Sequence, residues 1–133
     1  MIFPIPPLAW ANHRIRRMER QSKNSESHQE KMRTLDDDEA DCLRLGISHR
    51  FMHISALSPS TRISHAERHG RLFTADEIRQ WMVEGDNAIS CQCTFTLVLV
   101  DENGSPRMTS LLVRAAVARQ KFFAARARDD ISS

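Results

Sequence analysis

A chain of 133 residues, 41% hydrophobic and 27% charged with a negative mean hydropathy, has the make-up of one soluble domain around a single core. No apolar run approaches the ~20 residues needed to cross a bilayer. The opening MIFPIPPLAW is broken by three prolines and preceded by no basic residue, which excludes a signal peptide and points to the cytoplasm. Three cysteines in such a chain do not make a disulfide framework, and Cys42 reads as a small buried hydrophobe.

The net charge of +2 hides a basic, acidic, basic order: seven basic and three acidic groups in residues 1–33, six and twelve in 34–106, six and two in 107–133. The flanks suit contact with an acidic partner such as DNA, or solvated helix faces and loose tails. With no tyrosine in the chain and few aromatics in the basic stretches, a base-stacking platform is not indicated. These segments also set the expected organisation. Residues 1–33 form a weakly helical or disordered basic arm, 34–106 an α+β domain, and 107–133 a basic C-terminal helix or tail.

In chain order, TLDDDEADCLRLG predicts a short helix in which Thr34 caps, Asp36, Asp37 and Asp38 sit against the positive end of the helix dipole, and Gly46 ends the helix. ISHRFMHISAL alternates as a half-buried strand, with Met52, Ile54 and Ala56 assigned to the core side and His49 and His53 to a partner or solvent. Pro59 makes SPSTR a loop. Thr74 and Glu77 of TADE make a capping box for a helix near 75–84 that turns Ile78, Trp81 and Met82 inward and stops at Gly85. The β-branched run CQCTFTLVLV predicts the central strand, and Asn103-Gly104 predicts a turn. Thr109 or Ser110 caps a helix through LLVRAAVARQKFFAARAR. The sum is a small α+β domain with a short antiparallel sheet and helical flanks.

The chemistry-bearing residues fall in two places. On a strand, Cys91 and Cys93 project from one face. His65 and His69, four apart in SHAERHG, share one face of a helical turn. Two thiols and two imidazoles suit tetrahedral zinc, although neither half has zinc-finger spacing; buried thiols and hydrogen-bonded histidines are the alternative. A Cys91 nucleophile with His65 or His69 and Asp86 can be drawn, but six histidines permit such a drawing in almost any chain. No glycine-rich phosphate loop is present, and no small-molecule substrate is indicated.

The run from Leu45 to Pro106 resembles the C-terminal domain of phage head morphogenesis proteins, the Mu F-like minor head proteins. The resemblance rests on Thr61, Arg62, His65, His69 and Gly70, then Asn87, Cys91, Cys93 and Thr94 ahead of an apolar strand. It covers about half of the chain. It implies a non-enzymatic virion or procapsid assembly protein of a phage or prophage, found in the virion and the host cytoplasm. Its partners would be portal or coat proteins, with DNA contact through the basic flanks. On this view the cysteine pair is a fold signature, and a structural zinc is compatible with it. A small zinc-stabilised nucleic-acid-binding module is the alternative. Two departures stand out: a short basic segment replaces the family's long helical region, and no second cysteine pair lies upstream.

Overall fold

The computed structural model describes the backbone of residues 8–132 and the side chains of residues 27–129, so the proline-rich opening lies outside the described residues. The described chain runs α1 (Leu8–Leu45), β1 (His49–Ile54), α2 (Ile63–Ala66), β2 (Leu72–Phe73), α3 (Ala75–Val83), β3 (Thr94–Leu99) and α4 (Ser110–Ser132). It is a small α+β domain, with an antiparallel sheet in the order β2-β1-β3.

The first helix departs from expectation. Between residues 8 and 45 there is no glycine or proline, so nothing breaks the hydrogen-bond ladder. Thr34 is therefore interior to α1 rather than its cap, and the helix runs unbroken through residue 33. The acidic run does different work from that expected. Asp36 and Glu39 reach α3, where Arg79 donates to both at 2.7 Å and to Asp76 at 2.9 Å. Gly46, at φ +67°, ends α1 as its position predicts.

The central strand is β1, and β3 is an edge. β1 pairs Phe51 with Phe73 and Met52 with Leu72 on one side, and runs from His49↔Leu99 to Ile54↔Thr94 on the other. Both faces of β1 are covered, so Phe51, Met52 and His53 are all buried in succession, and the expected half-exposed alternation fails. Phe51 joins Leu35 of α1 and Ala75, Ile78 and Met82 of α3 in one cluster. Met52 joins Val98, Val100 and Ala115 of α4 in the other. Ala56, assigned to the core side, is exposed beyond the strand end.

Local signals elsewhere act as read. Thr74 Oγ1 accepts from the Glu77 amide, while a Glu77 carboxylate oxygen accepts from the Thr74 amide, completing the capping box. At the turn after β3, Asp101 Oδ1 accepts from the amides of Asn103 and Ser105, and Gly104 sits at φ +83°. The chain then crosses the sheet face as α4. It passes close to Gly70 (φ +78°), where a Cβ would lie 2.5 Å from the Ala115 Cβ.

Candidate metal centre

His65 lies on the single turn of α2, which the extended Arg62 enters at ψ 140°; the turn directs the imidazole inward, leaving it 3% exposed. The cysteines come from the segment that follows α3. They precede β3 rather than standing on it, so the shared strand face expected of them is not what joins them. The segment is shaped by side chains of other elements. Arg62 donates to the carbonyls of Asp86 (2.7 Å), Asn87 (3.4 Å) and Ile89 (2.6 Å). Asn87 Nδ2 donates to the Trp81 carbonyl at 2.8 Å, closing the end of α3. Lys31 of α1 donates to the Cys91 carbonyl at 3.2 Å.

Held in this way, the two sulfurs converge on one nitrogen. His65 Nδ1 lies 3.5 Å from Cys91 Sγ and 3.4 Å from Cys93 Sγ, and the three donor atoms lie within 4.8 Å of one another. Cys93 is buried and Cys91 half-buried. A tetrahedral zinc with bonds of ~2.3 Å to sulfur and ~2.0–2.1 Å to nitrogen sets a sulfur and a nitrogen ligand ~3.5 Å apart. The two S···N separations fit that edge, and a borderline-soft donor set of two sulfurs and one imidazole suits the ion. The same separations also serve as thiol–imidazole hydrogen bonds.

The electrostatics divide the two thiols. Hydrogen bonding from the Cys93 thiol draws the Cys91 thiol well below its ordinary range against the opposing effect of burial, helped by the Cys93 amide, Lys31 and His65. Cys93 is pushed up by donating to Cys91 and by burial. Burial lowers His65 and keeps the imidazole neutral, the form that can offer a lone pair. His65 Nε2 has no hydrogen-bond partner, and the ring packs edge-on to Trp81 at 4.7 Å. A ligating histidine usually donates its second N–H to an acceptor; here Nε2 is buried without one.

Several expected site residues do other work. His69 does not join the group: α2 ends at Ala66, and His69 Nδ1 instead accepts from the Ser55 amide at 2.9 Å. Arg62 pairs with backbone carbonyls rather than an acidic side chain, and Asp86 contributes its carbonyl to that contact. Thr61 Oγ1 accepts from the Ser58 amide. His53, expected to face solvent or a partner, is fully buried among Phe73, Trp81 and Phe95. There burial, with the nearby Arg68 charge, lowers it to about 3. His49 stays half-buried, edge-on to Phe51.

Two contributors escaped sequence reasoning. Lys31 is 60 residues from Cys91. Arg68 lies with its guanidinium 3.8 Å from the Phe73 ring and 4.3 Å from that of Trp81, donating to His53 Nδ1 at 3.3 Å. Its only sequence signal is a place between two histidines.

A cleft of about 530 Å³ opens over the group, lined by His65, Cys91 and Cys93 with Ser55, Thr61 and Arg62 among its walls. Among the described residues no helix is long and apolar enough to cross a membrane. No protein-family model, curated protein or solved structure matches the chain.

Proposed function

We propose that this chain is an assembly domain of a phage or prophage head, similar to the Mu F-like minor head proteins, which acts by binding and not by catalysis. The portal or coat is its partner, and His65, Cys91 and Cys93 hold a structural zinc. One observation carries the reading: the residues on which the resemblance rests have architectural jobs in one small region. Arg62 and Asn87 shape the segment that presents the cysteines. His65 receives the sulfurs, and His69 ties the turn to Ser55. Gly70 lets α4 close over the sheet. A bound ion would cross-link α2 to the entry of β3 and contribute folding free energy directly.

Density-gradient separation of lysate from an induced host carrying the tagged chain tests the assembly role. Co-migration with procapsids or portal rings is expected, and a chain left at the top of a gradient that contains heads refutes it. Metal content of the chain purified without chelator tests the centre separately, with about one zinc per chain expected.

A second reading, a zinc-stabilised nucleic-acid-binding module, draws on the exposed basic side chains of Arg107, just before α4, and of Arg114 and Lys121 on it. Phosphate binding falls steeply between low and moderate salt, whereas docking to a protein surface falls much less.

A further inference from the structure

We infer that the His65–Cys91–Cys93 centre is coordinatively open: it supplies three protein donors, and its fourth position takes a small anionic ligand from the cleft. The inference rests on the metal reading above and goes beyond a closed structural staple.

Structural zinc sites have four protein ligands, whereas three-ligand sites leave a position for an exogenous donor. Among the described residues, the group that can hold an ion contains His65, Cys91 and Cys93 and no fourth histidine, cysteine or carboxylate. The other two buried histidines among the described residues are committed elsewhere. His69 Nδ1 accepts from the Ser55 amide. His53 accepts from Arg68 within an aromatic cage. Cys42, the remaining cysteine, is buried on α1 beside Asp38 and Asp41. Among the described residues, no fourth donor is therefore offered to the group.

The side facing away from the fold is different. All three donors line the cleft, whose volume of about 530 Å³ far exceeds that of a water molecule. Its wall carries the Arg62 guanidinium, held in place by three backbone carbonyls, and the hydroxyls of Ser58 and Thr61. Two thiolates neutralise a divalent ion, so the fixed positive charge of Arg62 favours an anion over a neutral donor. Asp86 stands on the same wall and limits the size of that preference.

Cobalt(II) substitution of the full chain tests this, with azide as the probe. The expected result is the intense visible spectrum of thiolate-ligated tetrahedral cobalt, shifting saturably as azide is added. A tetrahedral spectrum that azide leaves unchanged at any concentration overturns the open position while leaving the metal reading intact. Absence of any tetrahedral cobalt spectrum overturns both. Ser55→Cys places a third thiol on the cleft wall that His65, Cys91 and Cys93 also line. With Ser55 on the wall of the same cleft, this variant should keep the cobalt bands and lose the azide shift; an undiminished shift would overturn the placement of the fourth position.

Discussion

Gly70→Ala is the sharpest single perturbation of this fold, because two independent effects act at one atom. At φ +78° an L-residue occupies left-handed backbone at a cost of ~1–2 kcal/mol. The new methyl would also sit 2.5 Å from the Ala115 Cβ, where carbon atoms ordinarily keep ~3.5–4.0 Å. The turn or α4 must then retreat by ~1 Å, and overpacking of that kind costs ~1–3 kcal/mol. Retreat is resisted, since Arg119 of α4 donates to the His69 carbonyl at 2.5 Å and the Gly70 amide donates to His53 of β1 at 2.8 Å. The expected loss is ~2–5 kcal/mol, a large share of the ~5–15 kcal/mol by which domains are stable. Urea unfolding followed by circular dichroism reads it. Ala115→Gly removes the opposing methyl and alone costs ~1 kcal/mol through helix propensity. Combined with Gly70→Ala, it should recover the steric part and leave the backbone part, a coupling of ~1–3 kcal/mol. A loss under ~1 kcal/mol for Gly70→Ala, or no coupling with position 115, refutes this account of the turn.

Other perturbations probe separate parts of the molecule. Arg62→Ala strips three carbonyls of a charged donor and should cost ~2–3 kcal/mol by urea unfolding, with Arg62→Lys recovering less than half because an ammonium lacks the planar fork; full rescue by lysine would refute the geometric role. Arg79→Met should cost ~1 kcal/mol at low salt and less at high salt, since its carboxylate partners are largely exposed or at the rim; a cost that does not change with salt would point to packing. His53 has a folded-state pKa of about 3 against ~6.5 when unfolded, so its stabilising effect is complete above pH ~6.5 and is lost as pH falls toward 3, by up to ~1.4 kcal/mol per unit. The acid limb of a stability-versus-pH profile should flatten in His53→Phe, and an unchanged limb would show that other groups set it. On the proposed metal reading, chelator treatment should lower the unfolding midpoint of the wild type but not of Cys93→Ala; equal midpoints with and without chelator would argue that no ion supports the fold.

The parts of the fold legible in the sequence were those whose signals are complete within a few residues. The capping box at Thr74 and Glu77 needs four residues and nothing else, and the turn at Asn103-Gly104 needs Asp101 beside it. The start of α1 was not legible in this way. A threonine before three aspartates looks like a beginning unless one knows that the preceding segment is already helical, and charge and polarity there concealed it. The rank of the strands was hidden too. β3 has the more apolar and β-branched sequence, yet β1 is central because β2 and β3 pair along its two edges, a fact of topology rather than of local composition. At the candidate centre the sequence offered both histidines, and that His65 lies with the cysteines while His69 does not depends on α2 lasting one turn. Lys31 and Arg68 act across long separations that no spacing rule spans.

Lys31, Leu35, Glu39 and Cys42 follow one another along α1 at intervals of four, four and three, and so form one stripe. Lys31 binds a carbonyl, Leu35 enters the apolar cluster, Glu39 takes Arg79, and Cys42 is buried again. A uniformly apolar stripe tolerates sliding, because each turn can replace the next. This one cannot slide: a shift of one turn, ~5.4 Å, in one direction would set a leucine against the Cys91 carbonyl and a carboxylate in the apolar cluster, and in the other direction an ammonium in that cluster. The alternation therefore acts as a key with one seating, in the way that a single polar position fixes the register of paired helices. The longest helix of the molecule is thereby indexed to the segment that carries the cysteines, and whatever grips that helix grips it at a defined position relative to them.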